Sequence, residues 1–157
     1  MMRKILKISI LLLIVAFVVI QFFQPEKNTG ELTSNHIFQN EKIPADVMNT
    51  LKNACMDCHS DQTKYLWYHR ISPVSWMIYE HIKDGKKELN FSTWGEQDDY
   101  DKFGAFEDMS KEVERKTMPI KAYTFMHSTA RLSDDERKAL VDWCKMRSEQ
   151  ITNALKE

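Results

Sequence analysis

A chain of 157 residues with 43% apolar and 29% charged residues, four glycines and four prolines has the make-up of one globular, helix-leaning domain, and this excludes a collagen-like, repeat or disordered chain. Its formal charge of -1 conceals a division: residues 1–23 carry three of the 22 bases and no acid, which leaves 19 bases against 23 acids in the remainder. That remainder has no basic surplus with which to hold nucleic acid, so no nucleic-acid partner is expected.

The chain opens on a basic stretch, MMRKILK, followed by ISILLLIVAFVVIQFF, an apolar run interrupted only by Ser9 and Gln21. Residues 1–23 therefore read as a signal anchor or a signal peptide. No small-x-small triplet follows for a peptidase to cut, so the expectation is a transmembrane helix retained in the membrane, with a cleaved signal as the alternative. Basic residues on the N-terminal side keep that end in the cytoplasm and export the domain, which predicts a periplasmic location. Residues 24–42 are polar and aperiodic and read as a tether, leaving residues 43–157 as the domain.

The domain reads as all-α. Pro44 suits a first helical position, and Ile43, Val47, Leu51 and Ala54 share one face of a helix leading into Cys55. Ser72-Pro73 starts a second helix that Gly85 is expected to stop, with His81 on its inner stripe. A third is predicted over 99–116, with Phe106, Met109 and Val113 inward. The fourth opens on a capping box, Ser133 to Glu136, and carries Leu140, Cys144, Arg147 and Ile151 at helical spacing.

The sharpest local signal is Cys55-Met56-Asp57-Cys58-His59. A structural zinc site needs four ligands and only Cys144 remains as a third cysteine; a redox C-x-x-C needs a preceding strand where a helix is expected. Covalent haem attachment needs this spacing: two thiols add to the two vinyl groups, and the following histidine becomes the proximal iron ligand. Haem c, one per chain, is therefore the expected cofactor, with zinc and a plain disulfide or redox pair as alternatives. The other side of the iron has several candidates: Met118, Met126, His36, His69, His81 and His127. Met118 stands out because Pro119 follows it in a loop after a helix end, although any of nine methionines can be packing material. His36 falls in the tether and is expected to be solvated, and His81 to be a core histidine.

Taken together, the stretch from Ala54 to Trp94, the MPIKAY segment from Met118 and LSDDERKALVDWC from Leu132 resemble the bacterial haem-binding domain family of small c-type cytochromes, and more distantly class I cytochrome c. The resemblance implies thioether attachment at Cys55 and Cys58, His59 as proximal ligand and Met118 as distal ligand. The long segment between His59 and Met118 departs from class I cytochromes.

Trp67, Tyr68 or Arg70 is a candidate for a haem-pocket or propionate contact, against the alternative that the rings simply fill a core, as expected for Trp76 and Tyr79. Cys144 reads as a small buried hydrophobe and the acidic run from Glu96 to Asp101 as a solvated loop. The expected function is electron transfer to an unidentified redox partner rather than catalysis; a gas or redox sensor, or a peroxidase-like enzyme, is the alternative if the sixth position is open.

Overall fold

The computed structural model describes residues 1–156. Eight α-helices follow in order among them: α1 (Met2–Ile20), α2 (Ile37–Asn40), α3 (Ala45–Ala54), α4 (Met56–His59), α5 (Val74–Glu88), α6 (Asp99–Glu114), α7 (Lys121–Met126) and α8 (Asp134–Ala154). Short 3-10 turns lie at Trp67–Arg70, Phe91–Glu96 and Ser128–Ala130, and an isolated bridge joins Thr29 to Gln62. The all-α reading holds.

α8 starts where its capping box predicts: Ser133 Oγ accepts from the Glu136 N–H, and the Glu136 carboxylate accepts from the Ser133 N–H at 2.8 Å. α6 runs antiparallel to it, with Glu107 opposite Ser148 and Val113 opposite Arg137. Between them Phe106, Met109 and Val113 meet Leu140, Cys144 and Ile151 in the core, to which α3 adds Val47 and Leu51. The acidic run before α6 is its cap, since Asp98 Oδ1 accepts from the Asp101 N–H, and acids there meet the positive end of the helix dipole.

The deepest aromatic packing comes from the 3-10 turn Phe91–Glu96, which helical periodicity does not reveal. Trp94 is wholly buried, edge-on to Phe106 at 4.9 Å, and Phe106 is edge-on to Trp143 at 5.2 Å. The Trp94 indole N–H donates to Glu41 at 2.9 Å, and the same carboxylate receives Arg147 at 2.6 Å.

Three expectations need correction. First, no helix among the described residues is long and apolar enough to cross a membrane. Arg3, Lys4 and Lys7 fill the first turns of α1 and leave Ile8 to Ile20, about 20 Å at 1.5 Å per residue, against about 30 Å of bilayer hydrocarbon. Second, residues 24–42 are not a free tether. His36 and Ile37 are fully buried, Asn28 donates to the Ser60 carbonyl and Thr63 Oγ1, and Gln24 donates to Ser72 Oγ. Third, Gly85 does not stop the second helix, which runs on to Glu88.

Candidate functional site

α3 ends at Ala54, and Cys55 joins it to the single turn of α4, so the amphipathic face that buries Val47 and Leu51 also fixes where the C-x-x-C-H motif emerges. The N–H groups of Cys58 and His59 bond back to the Cys55 carbonyl at 3.2 and 3.0 Å. The loop after the motif is bound to it: Thr63 Oγ1 donates to the Asp57 carbonyl at 2.6 Å and the Lys64 N–H to Asp57 Oδ1 at 2.8 Å.

α5 crosses the motif at Gly85. A Cβ there would lie 2.7 Å from the Cys58 carbonyl oxygen, so only glycine permits this approach. The residue read as a helix stop is instead the contact that brings α5 and the chain after it against His59. From there the Leu89 carbonyl accepts from His59 Nδ1 at 3.0 Å. A carbonyl only accepts, so the ring is the Nδ1–H tautomer and Nε2 keeps its lone pair. Burial holds the imidazole below its ordinary pKa, against the pull of the Leu89 and Gly85 carbonyls. A neutral ring with Nδ1 tied to a carbonyl is what a metal-ligating histidine needs.

Cys55 and Cys58 are free thiols. Burial, followed by the neighbouring Cys58, pushes Cys55 up to about 12; burial and Asp57 push Cys58 up to about 11. Both stay protonated at neutral pH. The zinc reading lacks its remaining ligands, since no group of three or more His, Cys, Asp or Glu side chains able to hold a metal ion exists among the described residues.

Cavities open beside the motif. One of about 780 Å³ is lined by Cys55, His59, Leu89, Phe91 and Met118, and a second of about 190 Å³ by Cys58, His59, His81, Gly85, Met118 and Tyr123. A third, of about 210 Å³, lies past Cys58 under Tyr68, Met77, His81, Tyr123 and His127. The first two share His59 and Met118, and between them receive both thiols. The larger of them is within the range of about 300–1,000 Å³ that holds a cofactor. Two thiols, one ring nitrogen with a free lone pair and a thioether on the same walls form a donor set that fits haem.

Of the six residues considered for the far side of the iron, Met118 and His81 share a cavity with His59. Both ring nitrogens of His127 are engaged, with the Tyr123 carbonyl at 3.0 Å and the Tyr68 hydroxyl at 3.2 Å, and His69 Nδ1 accepts from the Leu66 N–H. His36 lines none of these cavities and is fully buried rather than solvated. Met126 borders only the third cavity. His81 is a half-buried wall residue rather than a core one. Trp67 is 73% exposed, and Arg70 lines a separate cavity with Gln24, Glu26 and Tyr65, so the structure does not bring either to the walls that His59 shares with Met118. Cys144 is fully buried in the core as read, and burial raises its thiol pKa.

The residues missed in the sequence are Asp57, Leu89 and Tyr123. The Tyr123 hydroxyl donates to Asp57 Oδ2 at 2.7 Å, which ties the segment after Met118 to the residue between the two cysteines. Burial, then the Asp57 bond, keeps that hydroxyl protonated. A tyrosine five residues after Met118 is a visible signal; a backbone carbonyl at Leu89 leaves none.

No curated protein and no solved structure matches this chain, and the likeness to class I cytochrome c gains no support there. One family model, the haem-binding domain, matches residues 15–146. That span is most of the chain and includes every residue of the site, and this protein belongs to the haem-binding domain family.

Proposed function

We propose that the protein is a monohaem c-type cytochrome that carries electrons outside the cytoplasm, with haem joined to Cys55 and Cys58 and the iron held between His59 and Met118. The observation that carries this reading is that a neutral His59, its Nδ1 fixed to Leu89, and the Met118 thioether line one cavity. When bound, haem supplies a one-electron ferric/ferrous couple, and a thioether ligand favours the ferrous side.

The chain's own groups do the rest. Cys55 and Cys58 would hold the haem by adding their S–H bonds across its two vinyl groups. The Leu89 carbonyl holds the His59 ring. Met118 is held at its backbone: its N–H donates to the Glu112 carbonyl at 3.2 Å and its carbonyl accepts from Arg137 at 3.2 Å. His81 stands one turn from Gly85, on the helix that supports the His59 side, whereas Met118 comes from a separate loop, which favours Met118 as the opposing ligand. The basic start and apolar run of α1 support export to the compartment where c-type haem is attached. With His59 and Met118 both as ligands the iron would have no open position for a substrate, which favours carriage over catalysis.

The test is denaturation of protein made in cells that attach c-type haem. Haem should stay with the unfolded wild-type chain and be absent from Cys55→Ala/Cys58→Ala; extraction of haem from the denatured wild type would contradict covalent attachment.

A further inference from the structure

Charge is sharply divided in this domain. Residues 62–79 and 115–133 hold six bases and no acid, whereas the rest of the chain beyond residue 23 holds 13 bases against 23 acids. The fold brings those two acid-free segments together: the Tyr68 hydroxyl meets His127 Nε2 at 3.2 Å, and both segments line the 210 Å³ cavity past Cys58. Lys64, Lys121 and Arg131 are exposed there, and none of them joins an ion pair among the described residues.

Large apolar side chains stand exposed in the same segments. Trp67 is 73% exposed and Phe125 76%, and Met77 and Met126, both partly exposed, border the cavity. From Trp67 an aromatic line leads inward. Its ring meets Tyr68 edge-on at 5.7 Å, Tyr68 bonds His127, and His127 stacks on Tyr123 at 3.9 Å. Tyr123 then borders the cavity shared by Cys58, His59 and Met118. Aromatic and methionine side chains within a charged rim are the make-up of a protein-docking surface, and opposite charge speeds and orients the encounter.

We propose that this basic, aromatic face is where an acidic redox protein docks to exchange one electron with the site. The proposal rests on the electron-transfer reading above and assigns the partner's chemistry and the side on which it approaches. An anionic lipid surface is the competing occupant; the aromatic line from Trp67 to the cavity favours a redox protein, because it joins this face to the site.

The test oxidises the reduced holoprotein with an anionic reagent, hexacyanoferrate(III), and with a cationic one, tris(phenanthroline)cobalt(III), each taking one electron from the ferrous iron. Wild-type oxidation by hexacyanoferrate should slow as salt is raised. Lys64→Gln/Lys121→Gln/Arg131→Gln should slow it about tenfold at low ionic strength and leave the cobalt reagent as fast or faster. Arg131 also donates to the Thr124 and Phe125 carbonyls, so Lys64→Gln/Lys121→Gln, which spares those bonds, should show the same direction. Lys42→Gln/Lys138→Gln/Lys156→Gln removes equal charge elsewhere and should have little effect. Equal slowing by both triple variants would overturn the proposal. So would an unchanged hexacyanoferrate rate in a triple variant that has lost binding to phosphatidylglycerol vesicles, which would make the face a lipid contact. Failure of either reagent to oxidise the wild type would overturn the electron-transfer reading itself.

Discussion

The two flanks of the C-x-x-C-H motif are built differently. On one side, Phe91 lies 6.1 Å from the His59 ring and continues through Trp94, Phe106 and Trp143 into the core between α6 and α8. On the other, residues 62–79 and 115–133 enclose cavities under partly exposed methionines and aromatics, held by side-chain hydrogen bonds among Tyr68, His127, Tyr123 and Asp57. Close-packed interiors resist displacement, while segments with few buried contacts open first. The packed flank therefore holds His59 rigidly, and the looser flank, which carries Met118, is the easier of the two to displace.

That contrast can be broken from the packed side with the largest effect. Trp94→Ala removes a fully buried ring from the centre of the aromatic stack and takes the indole donor from Glu41 Oε1. It should cost about 3–5 kcal/mol in chemical denaturation, and a loss below about 1 kcal/mol would show that this flank is not the core. Gly85→Ala forces a Cβ against the Cys58 carbonyl. The backbone must shift, at a cost of about 1–3 kcal/mol, and the haem spectrum should move with it because Leu89 lies on the same run of chain. Unchanged stability and an unchanged spectrum would contradict the close approach of α5.

Tyr123→Phe probes the looser flank. It deletes only the hydroxyl bonded to Asp57, so stability should fall by about 1 kcal/mol, while carbon monoxide binding to the ferrous protein should rise as Met118 is released. A variant with the same stability loss and no change in carbon monoxide binding would reduce Tyr123 to a packing role.

The smallest effect concerns His36, wholly buried with its Nε2 lacking a hydrogen-bond partner. Burial lowers its pKa from the ordinary 6.5, against a nearby Asp61 that raises it. Below pH 6.5 the unfolded chain takes up a proton that the folded ring resists, so stability is full above that value and falls as pH drops towards the folded pKa. His36→Asn, which keeps an acceptor for the Phe38 N–H, should flatten the decline in thermal midpoint between pH 7 and 5.5; an unaltered slope would remove His36 as its source.

How far this could be read in advance follows from the range of each interaction. The turn that carries Cys55 to His59, the capping box of α8 and the inward face of α6 were legible because each is encoded within a turn or two of chain. His36 looked solvated because its burial depends on the turn at Phe91–Glu96, far away in sequence. Residues 24–42 looked like a tether because Asn28 and Gln24 satisfy their side chains on Ser60, Thr63 and Ser72. Gly85 was misread for a related reason: a glycine required by a crossing helix is locally indistinguishable from one that ends a helix. Trp67 and Arg70 sit close to the motif in sequence, yet the 3-10 turn that carries them directs them away from the walls shared by His59 and Met118.

The most direct test of the account is the absorption spectrum of the holoprotein, oxidised, then reduced, then exposed to carbon monoxide, in wild type, Met118→Ala and His81→Ala. The account predicts a low-spin wild type that carries the weak charge-transfer band of a methionine bonded to ferric iron and does not bind carbon monoxide, with the band lost and carbon monoxide binding gained in Met118→Ala alone. A high-spin wild type that binds carbon monoxide, or a spectrum that changes in His81→Ala and not in Met118→Ala, would contradict it.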